Sequence, residues 1–360
     1  AGVAVTTGIQ NTIVGGLAGD AFTTGERNVA IGFQALTSDT KGNLSVAIGQ
    51  HTLDAQNFTT ATSTFNTAVG YAAGAAVTTG LQNTLIGGLA GDALTDADKN
   101  VAIGYGALST DTLGSRSVAI GTFALEDQNF TTATDAYNTA VGNAAGANVT
   151  TGLYNTLIGG LAGDAITTGD HNVTLGVSAL TSNTAANKNV AIGSNSLSVF
   201  NVTSDTDTYN TAVGYGAGQQ VTTATNNTLI GGLAGDAITT GNDNTAVGGS
   251  ALTTNITGAN NVAMGVSALK LNTGSNNTAV GRGALLNQAA GSDNTAVGKD
   301  AGNDITTGVK NTLIGALAGD ALTDADSNVA VGRAALSTDT LGSCSVAIGR
   351  NALIVQNFTT

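Results

Sequence analysis

Three carboxylates fall within seven residues at Asp92, Asp96 and Asp98, and the same trio returns at Asp320, Asp324 and Asp326. Hard oxygen donors at this density, completed by carbonyls and water, are the chemistry of a weak Ca²⁺ loop. The equivalent turns carry Thr-Thr-Gly at Thr23, Thr167 and Thr239 instead, so two of five copies have the donors. A solvated acidic loop is the plainer reading, and Ca²⁺ at these six residues is the one cofactor expectation. Enzyme chemistry has less to stand on. The chain holds two histidines, His51 and His171, in non-equivalent places and without a repeated acid or nucleophile beside them. Its Gly-x-x-Ala-Gly runs do not lie between a strand and a helix, so they are not nucleotide loops. No catalysis is expected.

Rings are the next candidates. Segments at about 51–65, 123–137 and 195–209 are each four residues longer than their neighbours and hold Phe58, Phe65, Phe130, Tyr137, Phe200 and Tyr209. These rings, with Phe358, make up half of the fourteen aromatics. Two readings are open: a ridge for a ligand or a neighbouring fibre, or rings that cover the interior or pack on another chain. Thr pairs, from Thr6-Thr7 to Thr306-Thr307, raise ice binding as a rival. A strand needs Thr-x-Thr to put both hydroxyls on one face, so turn hydroxyls account for them better.

What positions these residues is a nine-residue phrase, Asn-Thr/Val-Ala-Val/Ile-Gly-x-x-Ala-Gly/Leu, that occurs twenty times. Most copies start 17 residues after the last; a 21-residue step follows Ser45, Ser117 and Asn189, and one step is 16. Super-repeats open near Asn11, Asn83, Asn155, Asn227 and Asn311. Such a period means one unit stacked on copies of itself. Counting the opening Asn or Ser as position 0, position 4 is Gly in all twenty copies and position 3 is always Val, Ile, Leu or Met. The stretch is short, β-branched and ended by Gly, which reads as a brief strand and a turn. The invariant Gly suits a positive φ or a close approach between coils. We therefore expect an all-β parallel β-solenoid, or β-roll, of about twenty coils, 17 residues each with a 21-residue coil about every fourth. Residues 1–360 read as one continuous repeat domain, about 95–100 Å long at one strand spacing per coil.

Side chains alternate along a strand, so position 2, usually Ala, faces one way and positions 1 and 3 the other. The small face fits a narrow lumen. Position 3 (Val14, Ile31, Ile86, Ile103, Val141, Ile158 and Ile230 among its members) then forms an apolar column in need of cover, and a neighbouring subunit is the favoured cover. The position-0 residues, such as Asn11, Asn28, Asn83, Asn100, Asn155, Asn227 and Asn311, can form an amide ladder from coil to coil. A left-handed turn preference is the simpler alternative for them.

Composition agrees with stacking. Proline, which removes a ladder donor, is absent, and Gly numbers 51 of 360. The net charge of −13 disfavours nucleic acid as a partner. One cysteine, Cys344, excludes a disulfide framework. No apolar run is long enough to cross a membrane as a helix, and no membrane contact is expected of this segment. Both ends match mid-coil sequence, so the chain reads as a piece of a longer protein.

The phrases Asn100-Val-Ala-Ile-Gly, Ser117-Val-Ala-Ile-Gly and Asn138-Thr-Ala-Val-Gly resemble the head repeats of trimeric autotransporter adhesins. Asn210-Thr-Ala-Val-Gly-Tyr-Gly-Ala, at its 17-residue spacing, is similar to bacterial and phage tail-fibre-like repeats. The resemblance implies a left-handed coil and three chains around one axis. It also implies a location outside the cell, at its surface or on a virion tail. The function it implies is a structural shaft or head that mediates attachment to a host receptor or glycan. The 17- and 21-residue coils depart from the shorter adhesin repeat. A glycan- or surface-binding module using the aromatic bulges, and an ice-binding solenoid, are the alternatives.

Overall fold

Each coil begins with three residues of extended chain, closed by a glycine in a backbone conformation that side-chain-bearing residues rarely adopt. The computed structural model describes residues 1–358. The chain is an all-β parallel β-solenoid of about 20 coils of about 17 residues, with no helix among the described residues. It divides into two compact stretches, Ala1–Ala185 and Ala186–Thr360. The first holds ten three-residue strands, from Thr12–Val14 to Val173–Leu175; the second holds ten more, from Val190–Ile192 to Val346–Ile348. Within each stretch, successive strands pair in parallel without slippage: Ile86 lies beside Ile103 and Ile103 beside Ile120, as Val297 lies beside Ile314. The longer segments add short pairs of their own, Gly42–Asn43 with Thr62–Ser63, Gly114–Ser115 with Thr134–Asp135, and Ala186–Asn187 with Thr206–Asp207.

Both reasons for the invariant glycine apply. Its φ lies between 121° and 142° in every coil, and a Cβ on Gly104 would sit 2.5 Å from the carbonyl oxygen of Gly121, the same glycine one coil on. The remaining corners use a milder left-handed backbone. The residue just before position 0 has φ between 50° and 63° in all twenty coils, although it is Asn in only three of them and Tyr, Arg, Lys or Leu in nine. Each such residue costs roughly 1–2 kcal/mol against an ordinary conformation, so neighbouring coils must impose the shape.

The lumen is lined by position 2, fully buried in every coil after the first (Ala30, Leu85, Ala102, Leu229). Positions 8 and 11 fill it further by a swap. Where position 8 is Gly, position 11 is apolar, as in Gly91 with Leu94 or Gly163 with Ile166. Where position 8 is Leu, position 11 is polar, as in Leu108 with Asp111 or Leu252 with Asn255; Leu197 with Phe200 is the exception. One bulky apolar side chain thus enters at nearly every level, which close packing of a narrow interior requires. A Cβ on Gly91 would stand 2.8 Å from both Leu85 and Leu94, so a larger residue there would displace the leucine methyls.

Candidate functional site

The strongest side-chain system in the molecule is the column at position 0. Asn28, Asn83, Asn100, Asn155, Asn227 and Asn311 are fully buried, and Asn11 in the first coil is half-buried. Each amide staples two coils with both of its ends. Asn100 Oδ1 accepts from the backbone N–H of Ser117 at 2.8 Å, and its Nδ2 donates to the carbonyl of Gly114 at 2.8 Å. Asn155 does the same with Asn172 N–H at 2.9 Å and Gly169 O at 2.8 Å. Asn311 reaches Asn328 N–H at 3.0 Å and Ala325 O at 2.7 Å. The expected ladder is present, but its rungs run mainly from side chain to backbone. The left-handed residue is the one before it.

Three coils open with Ser, which is too short to span to the next coil, and a Gln of the following segment reaches back to its hydroxyl. Gln56, Gln128 and Gln356 donate to Ser45, Ser117 and Ser345 at 2.9, 3.0 and 2.9 Å. The same Nε2 atoms also donate to Asp39, Asp111 and Asp339, at 2.6, 2.6 and 2.8 Å. Asp111 Oδ1 in turn accepts from the N–H groups of Gly114 and Phe130, each at 3.0 Å, which pins the inserted segment. Burial pushes the Asp111 carboxyl above the usual carboxylate range, and these hydrogen bonds pull it partly back. In the long coil after Asn189 the trio changes as a set: Asn183 stands at the Asp position, Asn189 at the Ser position and buried Phe200 at the Gln position. Sequence reasoning missed this hub, although its joint replacement between internal copies is a readable signal.

The aromatic ridge divides. Phe58, Phe130 and Phe200 are buried, whereas Phe65, Tyr137 and Tyr209 are exposed. The register of the inserted segment turns the first ring of each bulge inward, where its burial is stabilising. The outward rings occupy the left-handed position before position 0. Tyr137 is held between coils: Arg116, paired with Asp135 at 2.8 Å, lies 5.5 Å from its centroid, and Tyr154 stacks at 5.7 Å with His171 stacked on Tyr154 at 4.8 Å. Tyr209 is capped in the same way by Lys188, which pairs with Asp207. Little of the Tyr137 ring face is left for a ligand.

The acidic trios are largely spent on neighbours. Asp96 accepts from Thr79 Oγ1 at 2.6 Å and Asp98 from Leu81 N–H at 2.7 Å; Asp324 and Asp326 accept likewise from Thr307 and from Val309 N–H. Asp92 and Asp320 each bury one carboxylate oxygen without a partner, and burial raises both carboxyls. Among the described residues no three His, Cys, Asp or Glu side chains are grouped to hold a metal ion. The first hydroxyl of each Thr pair is also engaged, as in Thr6 to Thr23 O at 2.9 Å and Thr306 to Thr323 O at 3.2 Å.

Position 3 remains the uncovered element. Val14, Ile86 and Ile230 are exposed, and Ile31, Ile103, Val141 and Ile158 are half-buried. No helix among the described residues is long and apolar enough to cross a membrane. Comparison with known protein families, curated proteins and solved structures finds no match, so the repeat geometry itself carries the functional reading.

Proposed function

We propose that this chain is a structural repeat segment, the shaft or head of an extracellular fibre of adhesin or tail-fibre-like type, and that its coils associate side by side with other copies of the chain. The observation that carries this is the outward column at position 3. Each strand presents Val, Ile, Leu or Met away from the lumen, in register with the next, and nothing in the described chain covers it. Soluble monomers rarely leave contiguous apolar surface of this kind open. A second copy in register buries it at every coil, so weak layers add. Three copies are favoured by the resemblance to adhesin heads. A location outside the cell and attachment to a host surface follow from the same resemblance.

Replacing Ile103, Val141 and Ile158 together with Asp is expected to split the oligomer while leaving coil formation intact, because these side chains point outward. Sedimentation and far-UV circular dichroism report the two effects separately. Loss of the β signal together with association, or an unchanged oligomer, would count against the proposal.

Recognition by the bulges is a weaker second reading. It rests on the exposure of Phe65, Tyr137 and Tyr209, and the stacking around Tyr137 leaves it mainly a ring edge to offer. Binding of Ca²⁺ and of ice stays secondary, since most of the groups that suggested them are engaged in bonds between coils.

A further inference from the structure

Position 5, the residue after the invariant glycine, lies at the surface and varies from Gly to Thr, Phe, Tyr and Arg. From Gly16 to Val177 it carries no charge in any coil. In the last five coils of the second stretch it reads Arg282, Lys299, Ala316, Arg333 and Arg350. Four of the eleven Lys and Arg residues in a chain of net charge −13 therefore stand in one row, and all four are exposed. Their strands pair without slippage, Val280 beside Val297, Val297 beside Ile314, Ile314 beside Val331 and Val331 beside Ile348. The row thus advances about 4.8 Å per coil and spans about 19 Å.

Like charges one coil apart repel, and the chain offsets only the first half of the row. Lys299 has Asp300 at 3.4 Å, and Arg282 borders a shallow depression shared with Asp300, Asp304 and Asp320. Among the described residues Arg333 and Arg350 make no ion pair. Since acids outnumber bases by 24 to 11, intrachain partners were available and are not used there.

The shape of the charge selects the ligand. A single straight row matches a linear polymer, whereas a bilayer surface calls for cations spread over several columns. Single-stranded nucleic acid is favoured by rings interleaved with the cations, and this row has none. An extended acidic polysaccharide offers one carboxylate or sulfate every sugar or two, on the scale of one or two coils. We propose that Arg282, Lys299, Arg333 and Arg350 form a binding row for a linear acidic polysaccharide laid along successive coils. The row lies two residues beyond the apolar column at position 3, at its margin, so it stays available beside a self-association face.

The test is binding of the folded chain to polygalacturonate, with neutral dextran and poly(dT) as comparisons. The unmodified chain is expected to bind polygalacturonate, to ignore dextran, and to bind poly(dT) more weakly. The pair Arg333→Ala and Arg350→Ala is expected to lower the polygalacturonate affinity about 10-fold and to flatten its log–log salt dependence by about one per cation removed. Circular dichroism should be unchanged. Absence of polygalacturonate binding at low salt, equal binding by the double variant, or tighter binding of poly(dT) would each overturn the proposal. A change of oligomeric state in the variant without polysaccharide binding by the parent would also overturn it, assigning the row to contacts between copies. Loss of polysaccharide binding leaves the structural role untouched, because that role is tested separately by the position-3 variants.

Discussion

Gly159→Ala is expected to break its coil, and Gly160→Ala, one residue later, to be nearly silent. Gly159 is the position-4 glycine, with φ of +134°, and a Cβ there would lie 2.5 Å from Gly176 O and 2.6 Å from the carbonyl carbon. Both are backbone atoms of the next coil, so no side chain can swing away to relieve the overlap. A Gly-only backbone conformation forced on alanine costs about 1–3 kcal/mol, and the overlap adds to it, for a total above about 3 kcal/mol. Gly160 occupies position 5, and a Cβ there meets nothing within 4 Å. Other coils place Phe, Tyr or Arg at that point. Stacked repeats need not unfold in one step, so amide hydrogen exchange around residues 139–176 is the suitable probe. Faster exchange in Gly159→Ala alone is the expected result. Equal protection in both variants would mean that the glycine column does not constrain the coil.

The second large effect is expected at the amide staple. Asn100→Ala removes the acceptor of Ser117 N–H and the donor to Gly114 O, both buried. Each buried polar group left without a partner costs about 1–3 kcal/mol, so the loss is about 2–6 kcal/mol. Asn100→Asp keeps the acceptor and loses the donor, and should fall between. Lys99→Ala, one residue earlier and exposed, should change little. Urea titration followed by exchange at Ser117 ranks the three. An Asn100→Ala variant as stable as the Lys99 control would show that the column is decorative.

The fold was readable because the 17-residue period marks the same three facts in every copy: a short strand, a small inward residue and a terminal glycine. Both explanations offered for that glycine proved true together, since positive φ and close approach are one geometry seen from two sides. The amide column was legible as a column, but not its bonding, because spacing alone does not say whether Asn100 meets another side chain or the backbone of Ser117. The left-handed corner before position 0 was hidden. Tyr154, Arg116 and Leu44 have no preference for that conformation, and only the stacked neighbours enforce it. The swap between positions 8 and 11 and the Asp–Gln–Ser trio lay open in the sequence. They become visible only when internal copies are compared for joint change. Phe130 and Tyr137 carried identical periodic signals, and which ring turned inward depended on the register of the inserted segment, which residue type does not encode.

Self-association of the unmodified chain is the claim on which the functional reading rests. Sedimentation equilibrium across a wide concentration range measures it most directly. The outward column of Val14, Ile86, Ile230 and their neighbours predicts a stable oligomer at every concentration, three copies by resemblance. A well-folded monomer throughout, with those side chains left open to solvent, would contradict it.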